Sequence, residues 1–200
     1  MSLHPAMKMV KNRIQAASLT LAAAALGAAM LTAAAPAQAA SSHGYEGQVI
    51  ATGGLRVHTM PSMSGKVNTT LRNGQTVPLV CAVHGPSVGG NHLWYLLPAA
   101  PGEGGWATAR YIRNLGSPPP WCGTGQVFVI KTTAALNVRT GPTSADPRVE
   151  TLARGAGVDV SCKLEGQNVA GNALWYQTRG GHWIAARYVA NIGRAPTWCD

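Results

Sequence analysis

Acidic residues are scarce in this 200-residue chain, with seven Asp and Glu against sixteen Lys and Arg, and Phe128 is its one phenylalanine. Among the seven acids (Glu46, Glu103, Asp146, Glu150, Asp159, Glu165 and Asp200) a glycosidase pair is possible in principle, but nothing in the sequence favours one. His-Glu-x-x-His is absent, which removes the usual zinc-hydrolase signature. There is no Cys-x-x-Cys and no closely spaced Cys/His set, so no structural zinc is expected, nor any other metal or cofactor. Basic residues are scattered rather than run together, which argues against nucleic acid as a partner. Beyond Ala40 no stretch is apolar enough to span a bilayer, and none offers a helix cap followed by a 3.6-residue apolar period.

What is present begins with a leader. Lys8 to Arg13 is a basic segment, Ile14 to Ala35 an uncharged alanine-rich run, and Ala37-Gln38-Ala39 a small-x-small cleavage site. That is the plan of a secretory signal peptide over residues 1–39, followed by a flexible start over 40–46. After cleavage no membrane segment remains, and the protein is expected outside the cell or on its wall. Lys8, Lys11 and Arg13 leave with the leader. The remaining 13 basic and 7 acidic residues give about +6, which favours anionic surfaces such as wall polymers.

The rest of the chain is one module written twice, over residues 47–122 and 125–200. All six tryptophans fall into matched pairs. Gly90-Asn91-His92-Leu93-Trp94-Tyr95 answers Gly171-Asn172-Ala173-Leu174-Trp175-Tyr176. Trp106 answers Trp183, Arg110-Tyr111 answers Arg187-Tyr188, and Trp121-Cys122 answers Trp198-Cys199. Both copies are read as opening on Gly-Gln-Val, at Gly47–Val49 and Gly125–Val127. The offset is 81 from Leu55 to Tyr95 and then 77, because Leu97 to Gly105 is a longer loop than Thr178 to His182. Val158, Val160 and Cys162 alternate with Asp159 and Ser161, and Val77, Leu79 and Cys81 stand at the matching positions; turn residues precede both runs. The expected fold is all-β: two small barrels of about five strands each, in tandem.

Four cysteines in an exported chain read as two disulfides, for which three pairings are possible. Pairing within each copy, Cys81 with Cys122 and Cys162 with Cys199, lets each small module be stapled separately and ties its tail to the central strand. Trp121 and Trp198 are then expected to cover the disulfides, and Trp106 and Trp183 to be core. Asn68-Thr69-Thr70 fits a glycosylation sequon by chance. The mature histidines His43, His58, His84, His92 and His182 have no histidine twins and read as surface or loop residues.

The second copy resembles the bacterial Src homology 3 domain. The resemblance rests on Ala135-Leu136-Asn137-Val138-Arg139-Thr140-Gly141-Pro142, Leu152 with Gly155, Val158-Asp159-Val160, Trp175-Tyr176, Gly181-His182-Trp183-Ile184 and Arg187-Tyr188-Val189. The first copy fits more loosely, with His58-Thr59-Met60-Pro61 where the family has Arg-Ser-Gly-Pro. The cysteines and the Val-x-Gly-Asn-x-Leu-Trp-Tyr segment are similar to a version found in secreted proteins of Gram-positive bacteria. The resemblance implies Src homology 3-like β-barrels without catalysis that bind peptidoglycan or its peptides. Ligand contacts are expected from Trp94, Tyr95, Arg110 and Tyr111 and from Trp175, Tyr176, Arg187 and Tyr188. Trp and Tyr adjacent on one strand point to opposite faces, so one of each pair is expected to face outward. The sequence thus suggests a secreted, non-enzymatic binding protein for a cell-wall polymer or peptide. The alternative is an interaction or inhibitor protein acting on another exported protein.

Overall fold

The computed structural model describes residues 44–99 and 104–200. The expected leader lies outside the described residues, as do positions 40–43 of the start and part of the Leu97–Gly105 loop. Short apolar alternations bounded by glycine and proline yield an all-β fold whose curled sheets are those of Src homology 3-like barrel modules. The first copy contributes β1 (Glu46–Val49), β2 (Leu55–His58), β3 (Val67–Leu71), β4 (Thr76–Pro78), β5 (Cys81–Val88), β6 (Asn91–Leu97), β7 (Gly105–Thr108) and β8 (Ile112–Asn114). The second contributes β9 (Phe128–Thr132), β10 (Leu136–Arg139), β11 (Arg148–Leu152), β12 (Gly157–Val169), β13 (Asn172–Thr178), β14 (Trp183–Ala185) and β15 (Val189–Ile192). Each module therefore holds more strands than the five expected. Tyr45 and Glu46, placed by sequence in a flexible start, already belong to the fold: the Tyr45 carbonyl accepts the Leu79 N–H, and Glu46 opens β1.

All strand pairings are antiparallel. The second module is one sheet in the order β11-β10-β14-β13-β12-β9-β15. In the first, the counterpart of the long β12 is broken into β4 and β5, leaving sheets β4-β1-β8 and β3-β2-β7-β6-β5. Pro78 stands where the second copy has Asp159, and without an N–H it cannot carry the ladder through.

Register corrects the reading of the module starts. Gln48 pairs with Thr76 and Arg113, and Lys131 pairs with Gly157 and Ala190. Gln48 is thus the counterpart of Lys131, and Val49 of Thr132. Gly47-Gln48-Val49 and Gly125-Gln126-Val127 do not occupy equivalent places. The Gly125 segment precedes β9, and Val127 is exposed where Val49 is buried.

Three cores hold the described residues together. Val49, Val57, Leu79, Tyr95 and Ile112 form the first module's own core, and Ile130, Val138, Val160, Tyr176 and Ile184 the second's. A third core lies between the modules and is built from both. It gathers Trp94, Trp106, Trp175, Trp183 and all four cysteines. Strands β6 and β13 therefore have two buried faces, Tyr95 and Tyr176 inward and Trp94 and Trp175 toward the shared core.

Backbone approaches close this seam. A Cβ on Gly85 or Gly166 would lie 2.6 Å from Cδ1 of Trp94 or Trp175, so glycine is needed where the strand passes the indole. Each indole N–H then reaches a strand carbonyl, Trp94 to Pro86 at 3.0 Å and Trp175 to Gln167 at 2.8 Å. Polar bonds cross the seam. The Trp183 indole N–H donates to the His84 carbonyl at 2.8 Å. The Ser62 hydroxyl donates to the buried Asp146 carboxylate at 2.8 Å, and Thr143 donates to its other oxygen at 2.9 Å.

The chain ends are pinned as the cysteine arithmetic suggested. Disulfides join Cys81 to Cys122 and Cys162 to Cys199. Beside them, Trp121 and Trp198 make single parallel bridges to Ala82 and Lys163. The bridged residues are separated by 41 and 37 positions. Replacing both Cys162 and Cys199 by alanine should therefore lower stability by up to about 4 kcal/mol in urea unfolding, the loop-closure entropy of such a crosslink.

The Gly-Asn-x-Leu-Trp-Tyr signature resolves into turn chemistry followed by core. Asn91 and Asn172 accept the Leu93 and Leu174 N–H through their side chains, each at 2.8 Å. The residues ahead of them turn with positive φ: Gly89 and Gly90 in the first copy, Ala170 (φ 47) and Gly171 in the second. Ala170 is the one non-glycine residue with positive φ among those described. Ala170→Gly should stabilise the protein by about 0.5 kcal/mol, read as a higher urea midpoint at unchanged slope.

Candidate functional site

The eight residues expected to contact ligand separate into two groups. Trp94, Tyr95, Trp175 and Tyr176 are all buried, at 0–5% exposure. Their side chains do alternate across the strand, but the outward face of each strand meets the other module, so neither member of a pair reaches solvent. The Tyr95 hydroxyl receives the Asn114 amide N–H at 3.2 Å. Trp106 and Trp183 are core as expected. Arg110 and Arg187 are exposed, Tyr111 is 39% exposed, and Tyr188 is half-buried between the second module's core and the shared one.

Tyr111 overlooks an open groove of about 520 Å³ on the first module. Its walls come from the loop before β2, from β2 and β3, and from the short 3-10 turn Ala109–Tyr111. Arg56 projects from the outward face of β2 because Leu55 and Val57 face in. Thr70, its register partner on β3, stands beside it, and Met63, 53% exposed, and Val88 supply apolar surface. His58 is buried in the groove wall. Its Nδ1–H donates to the Gly65 carbonyl at 2.9 Å, and its ring meets Trp94 edge-on at 5.8 Å between centroids. The Thr108 side chain caps the 3-10 turn by accepting the Arg110 N–H, and the Arg110 stem crosses Gly89, where an added Cβ would sit 3.0 Å from Nε. No carboxylate among the described residues lines the groove.

The second module does not repeat this chemistry. At the position of Arg56 it has Asn137, whose side-chain oxygen accepts a hydrogen bond from Thr151, the counterpart of Thr70, at 2.9 Å. At the position of Met63 it has Ser144, tied to Gln167 through both its N–H and its hydroxyl. Arg56, Met63 and Thr70 were not singled out from sequence. The signal that could have found them was mismatch between copies rather than match.

A second concavity lies at the seam. His84 of β5, His92 of β6 and His182 of the β13–β14 hairpin converge on a cavity of about 250 Å³ with Thr140 and Gly180. His84 and His92 share one hairpin while His182 lies far along the chain, and the reading of all three as separate surface or loop residues missed the convergence. His84 is held below its ordinary pKa, first by desolvation and then by the positive charge that His92 and His182 would carry. No group of three or more His, Cys, Asp or Glu with metal-binding geometry occurs among the described residues.

Trp121 and Trp198, expected to cover the disulfides, are partly in solvent, at 57% and 44% exposure, while all four cysteines are buried. The backbone bridges of the two tryptophans fix the tail. Trp121 rests on the His84 ring with centroids 4.6 Å apart, and Lys163 Nζ lies 5.1 Å from the Trp198 ring.

No family model and no curated protein matches the chain. Among solved structures it is similar to Endolysin LysPBC5 CBD, at 13% identity and a TM-score of 0.28, covering 75% of this chain and 94% of that one. It is also similar to NlpC2 from Trichomonas vaginalis, at 10% identity and a TM-score of 0.27, covering 73% and 47%. At these scores neither likeness bears on the site. No helix among the described residues is long and apolar enough to cross a membrane.

The histidine cluster makes stability depend on pH. Because the folded pKa of His84 is depressed, the unfolded chain binds more protons in the window just below about pH 6.5. Its stability contribution is complete above that value and is lost as pH falls toward the folded pKa. Melting temperature should decline between about pH 7 and pH 5, and His84→Gln should flatten the decline, as followed by circular dichroism.

Proposed function

We propose that this chain is an exported, non-enzymatic binding protein that holds a cell-wall polymer, peptidoglycan or its peptides, in the groove of the first module. The supporting observation is the groove itself, which is open to solvent, has no carboxylate among the described residues in its lining, and is lined by Arg56 and an exposed Tyr111. An exposed tyrosine offers a flat face to a sugar ring or peptide plane, and a guanidinium offers a paired contact to a carboxylate. Arg110 lies beside Tyr111 on the same turn and extends the cationic rim. Arg187 and Tyr188 form the corresponding but weaker element of the second module, since its tyrosine is half-buried and Asn137 replaces the groove arginine. Trp94 and Trp175 are buried in the shared core and Tyr95 and Tyr176 in the two module cores, and none of them is assigned to the ligand. An excess of basic residues after the expected leader favours a polyanionic wall. The two disulfides suit a chain that works outside the cytoplasm.

The test is co-sedimentation of the purified protein with insoluble peptidoglycan against a folded control of equal charge. Retention should exceed the control. Tyr111→Ala and Arg56→Ala should each weaken it roughly tenfold, the effect of losing one stacking or charge-assisted contact, while Asn137→Ala leaves it unchanged. Retention no better than the control, with recovery of one stoichiometric exported protein from culture fluid, would replace this reading with a protein-interaction role.

A further inference from the structure

The module junction carries a concavity that the first-module groove does not use. A cleft of about 410 Å³ opens between Trp121 at the end of the first module and the β12–β13 face of the second. It shares His84 and Gly181 with the three-histidine cavity, so the two concavities meet at that histidine. Trp121 forms one wall, Arg179 and His84 contribute cationic or ionisable groups, and Ser161, Gln177 and Thr178 contribute hydroxyl and amide groups. No acidic residue among those described lines either part.

The exposure of Trp121 calls for a physical reason, because an indole left in water forgoes a large burial gain. The ring is not loose. Its residue is bridged to Ala82, the next residue is crosslinked to Cys81, and one side of the ring rests on His84. Comparison with its twin isolates what differs. Trp198 is bridged in the same way to Lys163, whose ammonium reaches its own indole. In the first copy the position of Lys163 is taken by Ala82, which is buried and carries no cation. The same scaffold thus presents one tryptophan already engaged by a lysine and one without that cation, and the latter borders a polar cleft.

We propose that this junction cleft is a second binding site, for a carboxylate-bearing saccharide, with Trp121 as the stacking platform and Arg179 as the anion contact. A fixed flat indole suits the apolar face of a sugar ring, and neighbouring hydroxyl and amide groups suit its hydroxyls. The absence of carboxylates from the lining, with Arg179 present and three imidazoles alongside, selects an anionic ring over a neutral or cationic one. Both modules build the cleft, so a single copy could not form it. The depressed pKa of His84 is consistent with an imidazole that stays neutral and stacked at neutral pH.

The test is a titration of the intact protein with N-acetylmuramic acid, followed through indole N–H resonances in a proton–nitrogen correlation spectrum, with N-acetylglucosamine and a short uncharged peptide as comparators. The Trp121 indole signal should shift saturably with the acidic sugar and least with the peptide. Trp121→Ala should weaken binding roughly tenfold, and Arg179→Ala should remove the preference for the acidic over the neutral sugar. Trp198→Ala and Tyr111→Ala should leave the titration unchanged, which separates this site from the first-module groove whether or not wall retention is observed. Trp121 is exposed, so its replacement should preserve the native spectrum elsewhere; if it does not, Trp121→Phe and Arg179→Ala carry the test. An unmoved Trp121 signal, equal affinity for both sugars, or preference for the peptide would overturn the proposal.

Discussion

The constraint on which the described structure depends is a third hydrophobic core between two others. Each module has an interior of valines, isoleucines and leucines too small to be generous, as expected for units of this size. Between them, four tryptophans and two disulfides form a core that neither module could bury alone. Removing the second module would expose Trp94 on the face of β6 opposite Tyr95. A linear pair of independent beads would need a polar residue at that position. The sequence has tryptophan there in both copies, and its indole N–H is satisfied by a carbonyl on the neighbouring strand rather than by solvent. Burial without an orphaned donor is what makes the arrangement tolerable.

Duplication would permit a symmetric seam, and the residues show that this one is not symmetric. Asp146 accepts Ser62 from across the seam, whereas the counterpart of Asp146 in the first copy is Gly65, which has no carboxylate to offer Thr143 in return. His84 faces the second module through a carbonyl that accepts the Trp183 indole, and its counterpart is Glu165, exposed and of opposite charge. Two mismatches between the copies thus fall where the copies touch. They set one packing over its mirror arrangement, and they leave concave, cation-lined ground at the junction rather than a flat two-fold interface.

Much of the architecture was legible because it depends on local rules. Alternation in Val158-Asp159-Val160 gives a strand whatever surrounds it, and matched cysteines in a repeat give crosslinks within each copy. The exposure of Trp94, Tyr95, Trp175 and Tyr176 was not legible for a definite reason. A period of two states that neighbours point to opposite faces, but it does not state what covers the second face. Sequence likeness also misled at Gly47-Gln48-Val49, where three shared letters competed with hydrogen-bond register and lost. The hydrogen bonds from Gly74 to the Val49 carbonyl and from Gly155 to the Thr132 carbonyl fix the true correspondence. The histidines could not all be gathered from sequence, since His182 meets the β5–β6 pair His84 and His92 only through the seam.

A repeat is usually read for what its copies share, and here the shared Gly-Asn-x-Leu-Trp-Tyr signature is structural. It supplies a turn, an asparagine bond to the backbone, and side chains divided between two cores. At the proposed sites the shared Tyr111 and Trp121 stand beside residues or pairs that differ between the copies: Arg56 against Asn137, Met63 against Ser144, Ala82 against Lys163, His84 against Glu165. The physical basis is that a residue locked into packing on both strand faces cannot vary without cost, so it cannot be recruited to a ligand. Positions on the open rim carry no such cost. Two copies of one stable frame can therefore diverge at their rims, and the first module's groove and the junction cleft are both made of residues free to differ.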